Sequence, residues 1–111
     1  MKLGEKIDVS KVGLREWVDM QGFVSAIGRT MKVMSWGAHA YRRMNKYTLR
    51  FMVQARRHHG HIYMGVNGAD LFDIYLTTAQ GKIKKVFNDI YLEDVIRVID
   101  EEIEKVDSYV R

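Results

Sequence analysis

The chain has 111 residues, of which 47% are apolar and 29% charged, with no cysteine and no proline. That size and balance suit a single domain over residues 1–111 and leave no disulfide, thiolate metal site or cysteine nucleophile. No apolar run approaches the ~20 residues of a membrane span, and the opening MKLGEKIDV lacks the apolar stretch of a signal peptide, so a cytoplasmic protein with no membrane partner is expected.

The net charge of +4 is unevenly spread. Residues 1–60 carry 12 Lys/Arg against 4 Asp/Glu, whereas residues 61–111 carry 6 against 10. No acid occurs between Asp19 and Asp70, a stretch that also holds all four histidines: His39, His58, His59 and His61. Such asymmetry points to a polyanionic partner. The competing reading is that the basic middle faces an acidic helix within the fold.

In chain order, Ser10 is a candidate cap for a first helix carrying Leu14, Trp17, Val18, Val24 and Ile27 on one side, with Gly13 and Gly22 as weak points. After Gly28, Met31–Tyr41 reads as a strand bent at Gly37. Period-two alternation then begins. Tyr47, Leu49, Phe51, Val53 and Ala55 share one face, and Thr48, Arg50, Met52 and Gln54 the other. The next strand turns Ile62, Met64 and Val66 inward, with His61 and Tyr63 outward. A further strand turns Phe72, Ile74 and Leu76 inward, with Leu71, Asp73, Tyr75 and Thr77 outward. A shorter one spans Ile83–Phe87. One apolar face per strand is the mark of a half-buried antiparallel sheet.

The turns refine this pattern. Arg56-Arg57-His58-His59 fits a four-residue loop closed by Gly60, and Ala79-Gln80-Gly81-Lys82 closes the last hairpin. Asn67-Gly68 is a hairpin signal. A two-residue loop there would turn Phe72, Ile74 and Leu76 away from Ile62, Met64 and Val66. Side-chain parity therefore requires a three-residue loop or a bulge. At the C-terminus, Leu92, Val95, Ile96, Ile99, Ile103 and Val106 follow helical spacing, opposite Glu93, Asp94, Arg97, Asp100, Glu101 and Glu104. The expected fold is α+β: an N-terminal helix, a four- or five-stranded antiparallel meander and a C-terminal amphipathic helix, in two layers with both helices on one face.

Four groups of residues bear on function. Arg50, Gln54, His61, Tyr63, Tyr75 and Lys84 are expected on the outward sheet face, where cations and aromatic rings suit phosphates and stacked bases. Asp73 on that face argues against a phosphate groove, and an ordinary solvated face is the competing reading. Arg56-Arg57-His58-His59-Gly60-His61 forms a basic hairpin tip, and Arg42, Arg43 and Lys46 form a second basic cluster in the preceding connection. His58, His59 and His61, with His39, are weak candidates for a metal site, because two arginines flank them and no acid lies near. Trp36-Gly37 reads best as a core residue beside a bend, and the seven methionines as gap fillers.

No phosphate-binding glycine motif, carboxylate pair or nucleophile elbow is present, so no catalytic residue and no cofactor is assigned, and the balance leans away from an enzyme. The expectation is a small non-enzymatic binding module contacting nucleic acid through phosphates. Its expected contacts are Arg42, Arg43, Lys46, Arg56 and Arg57, with Arg50 and Tyr63 supporting. The alternative is a protein-interaction module: a homo-oligomer, a subunit, or a small regulator of mobile-element or phage origin that docks on an acidic protein surface.

Overall fold

A computed structural model describes residues 1–17, 19–27 and 36–103. Five strands form one antiparallel sheet in the order β1-β2-β3-β4-β5, a simple meander. They are β1 (His39–Arg43), β2 (Thr48–Gln54), β3 (His59–Val66), β4 (Phe72–Thr77) and β5 (Ile83–Ile90). Two helices are present among the described residues, α1 (Met20–Ile27) and α2 (Val95–Ile103).

The register across Asn67-Gly68 keeps the two apolar sets on one face. Val66 pairs with Phe72, Met64 with Ile74 and Ile62 with Leu76, so the apolar sets of β3 and β4 share a face. The loop has three residues. Asn67 N–H donates to Leu71 O at 2.8 Å and Asp70 N–H to Asn67 O at 3.1 Å. Asp70 takes the left-handed conformation (φ 62°) that this loop length needs at its last position. The Asn67 side chain completes the turn. Its Oδ1 accepts from Ala69 N–H (2.9 Å) and Leu71 N–H (3.2 Å), while Nδ2 donates to Asp73 (3.0 Å) and Asp89 (2.7 Å). This bridge reaches β5, which runs to Ile90 rather than ending at Phe87. Phe72 still pairs with Ile90 beyond a register shift that Asp89 (φ 58°) accommodates.

The apolar face of the sheet packs on the helices. Leu49, Phe51, Val53, Ile62, Met64, Ile74 and Leu76 cluster with Met20 and Ile27 of α1 and Val95, Ile99 and Ile103 of α2. Trp36 is 1% exposed in this core and donates its Nε1–H to Asp100 Oδ1 of α2 at 2.9 Å. That bond satisfies an indole donor that burial would otherwise strand. On α2, Arg97 pairs with Glu101 (3.6 Å) and with Asp94 (3.5 Å). Leu92 is 54% exposed, because it lies in a 3₁₀ turn (Leu92–Asp94) ahead of the helix and out of its register. Glu104 and Val106 lie outside the described residues.

The N-terminal third departs from expectation. Ser10 does not cap a long helix. Asp8 caps a short 3₁₀ turn (Val9–Lys11) by accepting from Ser10 N–H, residues 13–17 are non-helical with an isolated bridge at Arg15, and α1 begins only at Met20. Leu14 is consequently 66% exposed, whereas Trp17 and Ile27 are buried as expected. Residues 1–17 form an arm. Its start pairs with β5 through Gly4 N–H to Ile83 O (2.7 Å) and Ile83 N–H to Glu5 O (2.8 Å). Ile7, Val9 and Val12 then join Tyr63, Tyr75 and Ile83 in a second apolar cluster, on the sheet face opposite the helices. At its far end, Leu14 and Arg15 N–H both donate to Val66 O, at 2.8 and 3.0 Å. The sheet is therefore packed on both sides, not only on the helix side. Val18 and the Met31–Ser35 part of the expected first strand lie outside the described residues. Tyr41 ends that segment within β1, which is bulged near Ala40 (φ 55°).

Candidate functional site

The meander decides where the basic residues go. β1 and β2 are joined at one end of the sheet by residues 44–47, and β2 and β3 at the other end by residues 55–58. Arg42, Arg43 and Lys46 therefore lie near one end of β2 and Arg56 and Arg57 near the other, separated by about 20 Å at ~3.3 Å per residue. The two basic loops are not adjacent, because successive turns of a meander fall at opposite ends. The Arg56-Arg57 loop instead sits against α2, where Arg57 N–H donates to Ile103 O at 2.7 Å. The C-terminal end of a helix is the end that favours cations. There the competing reading, basic middle against acidic helix, has geometric support.

The second β-turn also differs by one residue. Gln54 pairs with His59, so the loop is Ala55-Arg56-Arg57-His58, closed by Ala55 N–H to His58 O at 3.0 Å. His58 is not displayed at a tip. It is 3% exposed, with Nε2 3.3 Å from His61 O. Burial holds its pKa below the ordinary value, opposed by hydrogen bonding to the His61 backbone. His59 is exposed while His58 is buried, so the two imidazoles occupy different environments. Among the described residues no group of three or more His, Asp or Glu gathers as metal ligands would.

The outward face divides into a covered half and an uncovered half. Tyr63 (5% exposed) and Tyr75 (9%) lie beneath the arm. They are not displayed as stacking surfaces, because Ile7, Val9 and Val12 use the same rings as an apolar floor. Arg50, Met52 and His61 are only part-buried, and Gln54 and Lys84 are exposed. Strand pairing sets two rows on this face: Arg42 opposite Arg50 opposite Tyr63, and His39 opposite Met52 opposite His61. Directly paired residues of neighbouring strands share a face, with Cβ atoms about 5 Å apart.

The electrostatics of the uncovered half are unbalanced. Ion pairs among the described residues tie up Lys11, Arg15, Lys85 and Arg97. None of these pairs involves Arg42, Arg43, Lys46 or Arg50; Arg42 and Arg50 lie on the uncovered half, whereas Arg43, opposite Leu49, lies on the helix side of the edge strand. Arg50 Nε and His61 Nδ1 are shut from water without a hydrogen-bond partner. Burial, and then the Arg50 charge, push the His61 pKa below its ordinary value. The His61 ring meets Tyr63 edge-on at 6.2 Å, which puts it at the border of the arm-covered half. Arg42 and Arg43 also border a depression of about 100 Å³ between β1 and α1, with Met20, Val24, Tyr41 and Leu49.

The sequence carried one signal for the arm that composition does not reveal. Gly13 and Gly65 are where two backbones cross. A Cβ on Gly65 would meet Gly13 Cα at 2.8 Å, and one on Gly13 would meet Tyr47 Cβ at 2.6 Å. Ile7 and Val9, at period two among charged neighbours, are the corresponding apolar signal. Comparison with protein-family models, curated proteins and solved structures finds no match to this chain.

Proposed function

We propose that this protein is a small non-enzymatic binding module of the cytoplasm that contacts nucleic acid through its phosphates. The observation that carries the reading is the group Arg42, Arg43, Lys46 and Arg50 on and beside the β1–β2 hairpin, without an ion-pair partner among the described residues. A cluster of cations lacking internal counter-ions favours an external polyanion. With Tyr63 and Tyr75 covered, contact runs through the backbone of a duplex rather than through stacked bases. Arg56 and Arg57, beside α2, contribute less than the sequence alone suggests.

Salt dependence tests this. Four phosphate contacts give a slope of log K against log salt near −3.6, whereas engagement of Arg56 and Arg57 as well would steepen it to about −5.4. Duplex binding that is flat with salt, or absent at low salt, refutes the reading.

The alternative, a protein-interaction module, rests on a different observation. Leu14, Tyr91 and Leu92 are 66%, 58% and 54% exposed. All three lie toward the end of the sheet that carries the β3–β4 turn, since Leu14 bonds Val66 and Tyr91 follows Ile90. Light scattering decides between a monomer and a self-association through this end.

A further inference from the structure

We infer that Arg42, Arg50 and His61 form a seat for one phosphoryl oxyanion on the half of the sheet face that the arm leaves uncovered. The inference deepens the nucleic-acid reading and rests on it for the identity of the phosphate's owner, a duplex backbone. Three observations converge.

First, Arg42 and Arg50 are direct cross-strand partners. Like charges placed opposite one another destabilise a sheet, and no acid occurs from residue 20 to residue 69 to relieve them in sequence. A bound anion converts that repulsion into a clamp.

Second, two polar atoms beside the paired arginines have no partner within the chain. Arg50 Nε and His61 Nδ1 both lack a partner, and the two side chains are diagonal neighbours, since Arg50 pairs with Tyr63 and Met52 with His61. Buried polar atoms without partners are costly and uncommon. An oxyanion with several acceptor oxygens satisfies both guanidinium groups, each of which presents a planar fork suited to phosphate.

Third, the backbone is distorted beside the seat. The register of β1 shifts between His39 and Arg42, and Ala40 sits at φ 55°. A bulge of this kind re-aims the side chains that follow it. Here it brings Arg42 opposite Arg50. The arm, whose apolar cluster takes in Tyr63 and reaches Met44, supplies the wall on the turn side.

The test is an NMR titration of the intact protein, following arginine Nε–Hε signals and histidine ring signals. Inorganic phosphate is added first, then a 12-base-pair duplex at low salt. The expected result is a saturable shift of Arg42, Arg50 and His61 with phosphate, and movement of the same signals with duplex. R50Q should weaken duplex binding about tenfold and flatten the salt slope by about one, whereas K6Q, beside β5, leaves both unchanged. R42Q, at an exposed edge position, gives the same readout if R50Q does not fold.

If duplex moves Arg43 but leaves Arg42, Arg50 and His61 still, the seat is overturned and the nucleic-acid reading survives. If phosphate fills the seat but duplex does not bind, the seat stands and that reading fails. If neither ligand shifts any arginine or histidine signal, both are wrong.

Discussion

Replacing Gly65 by alanine tests whether the arm is a structural part of the sheet. The new Cβ would lie 2.8 Å from Gly13 Cα, 2.9 Å from Gly13 N and 2.9 Å from Val12 O. All three are backbone atoms, so no side chain can swing aside. Ordinary contact begins near 3.4 Å, so the arm must retreat by about 0.6 Å or more. The molecule has two ways to respond. It can keep the arm docked and carry the strain, at about 1–3 kcal/mol for overpacking. Or it can release residues 12–15, losing Val12 burial (about 1.5–3 kcal/mol) and the two amide bonds to Val66 O (about 1 kcal/mol each). Strain is the cheaper route, so G65A should cost about 2–3 kcal/mol and lower the midpoint of thermal unfolding by about 10 °C. Urea unfolding measures the loss, and hydrogen exchange at the Leu14 and Arg15 amides separates the routes. Protected amides mean a strained arm; fast exchange, with new dye binding at exposed Tyr63 and Tyr75, means a lifted one. A G65A protein as stable as the parent, with both amides protected, would refute the crossing of Gly13 over Gly65.

Further outcomes follow from single contacts. W36F removes the donor to Asp100 and should cost about 2–3 kcal/mol by denaturation, while D100N, which keeps an acceptor oxygen, should cost well under half of that. N67D places a third carboxylate between Asp73 and Asp89 and loses both Nδ2 bonds; it should destabilise by about 2 kcal/mol or more at pH 7, with the deficit shrinking as acid neutralises the three groups. His58 resists protonation in the folded state because it is buried, whereas the unfolded chain takes up a proton near the ordinary value of 6.5. The unfolded state therefore binds more protons below pH 6.5, and His61, shifted in the same direction, adds to this. Stability should be highest above that pH and fall as pH drops toward 5, and H58Q should flatten the decline in a series of thermal melts.

The sheet was legible in the sequence because period two leaves little freedom. Once Leu49, Phe51, Ile62, Met64, Ile74 and Leu76 must share a face, both the register and the length of the Asn67–Leu71 turn are constrained. The first helix was misread because Leu14, Trp17 and Val24 also satisfy a helical period, and local spacing cannot show that Gly13 is needed for a backbone crossing with Gly65, 52 positions away. The basic residues stand out in the sequence as a charge imbalance, but charge carries no topology. Arg42 and Arg56 are close in sequence, yet an odd number of strands, β2 alone, separates their loops and sends them to opposite ends. His58 was placed on a tip because loop boundaries shift by one residue easily, and one residue decided between solvent and burial.

The arm that replaces the expected first helix locates the candidate site. The outward face was expected to be one surface, with cations and tyrosines working together. The arm divides it: Tyr63 and Tyr75 become core, and what remains toward the β1 edge is His39, Arg42, Arg50, Met52 and His61. The apolar cover does more than hide two rings. Tyr63 borders both His61 and the arm-side cluster, so the same packing that stabilises the arm removes water from one flank of the uncovered half. Low local polarity strengthens an ionic contact made there and makes an unpartnered polar atom costly. Arg50 Nε and His61 Nδ1 are in that position. Lifting the arm should therefore weaken anion binding even though no arm residue need touch the ligand. G65A joins the two subjects in one variant: if its arm lifts, duplex affinity should fall with stability, and if the arm stays docked under strain, stability should fall alone.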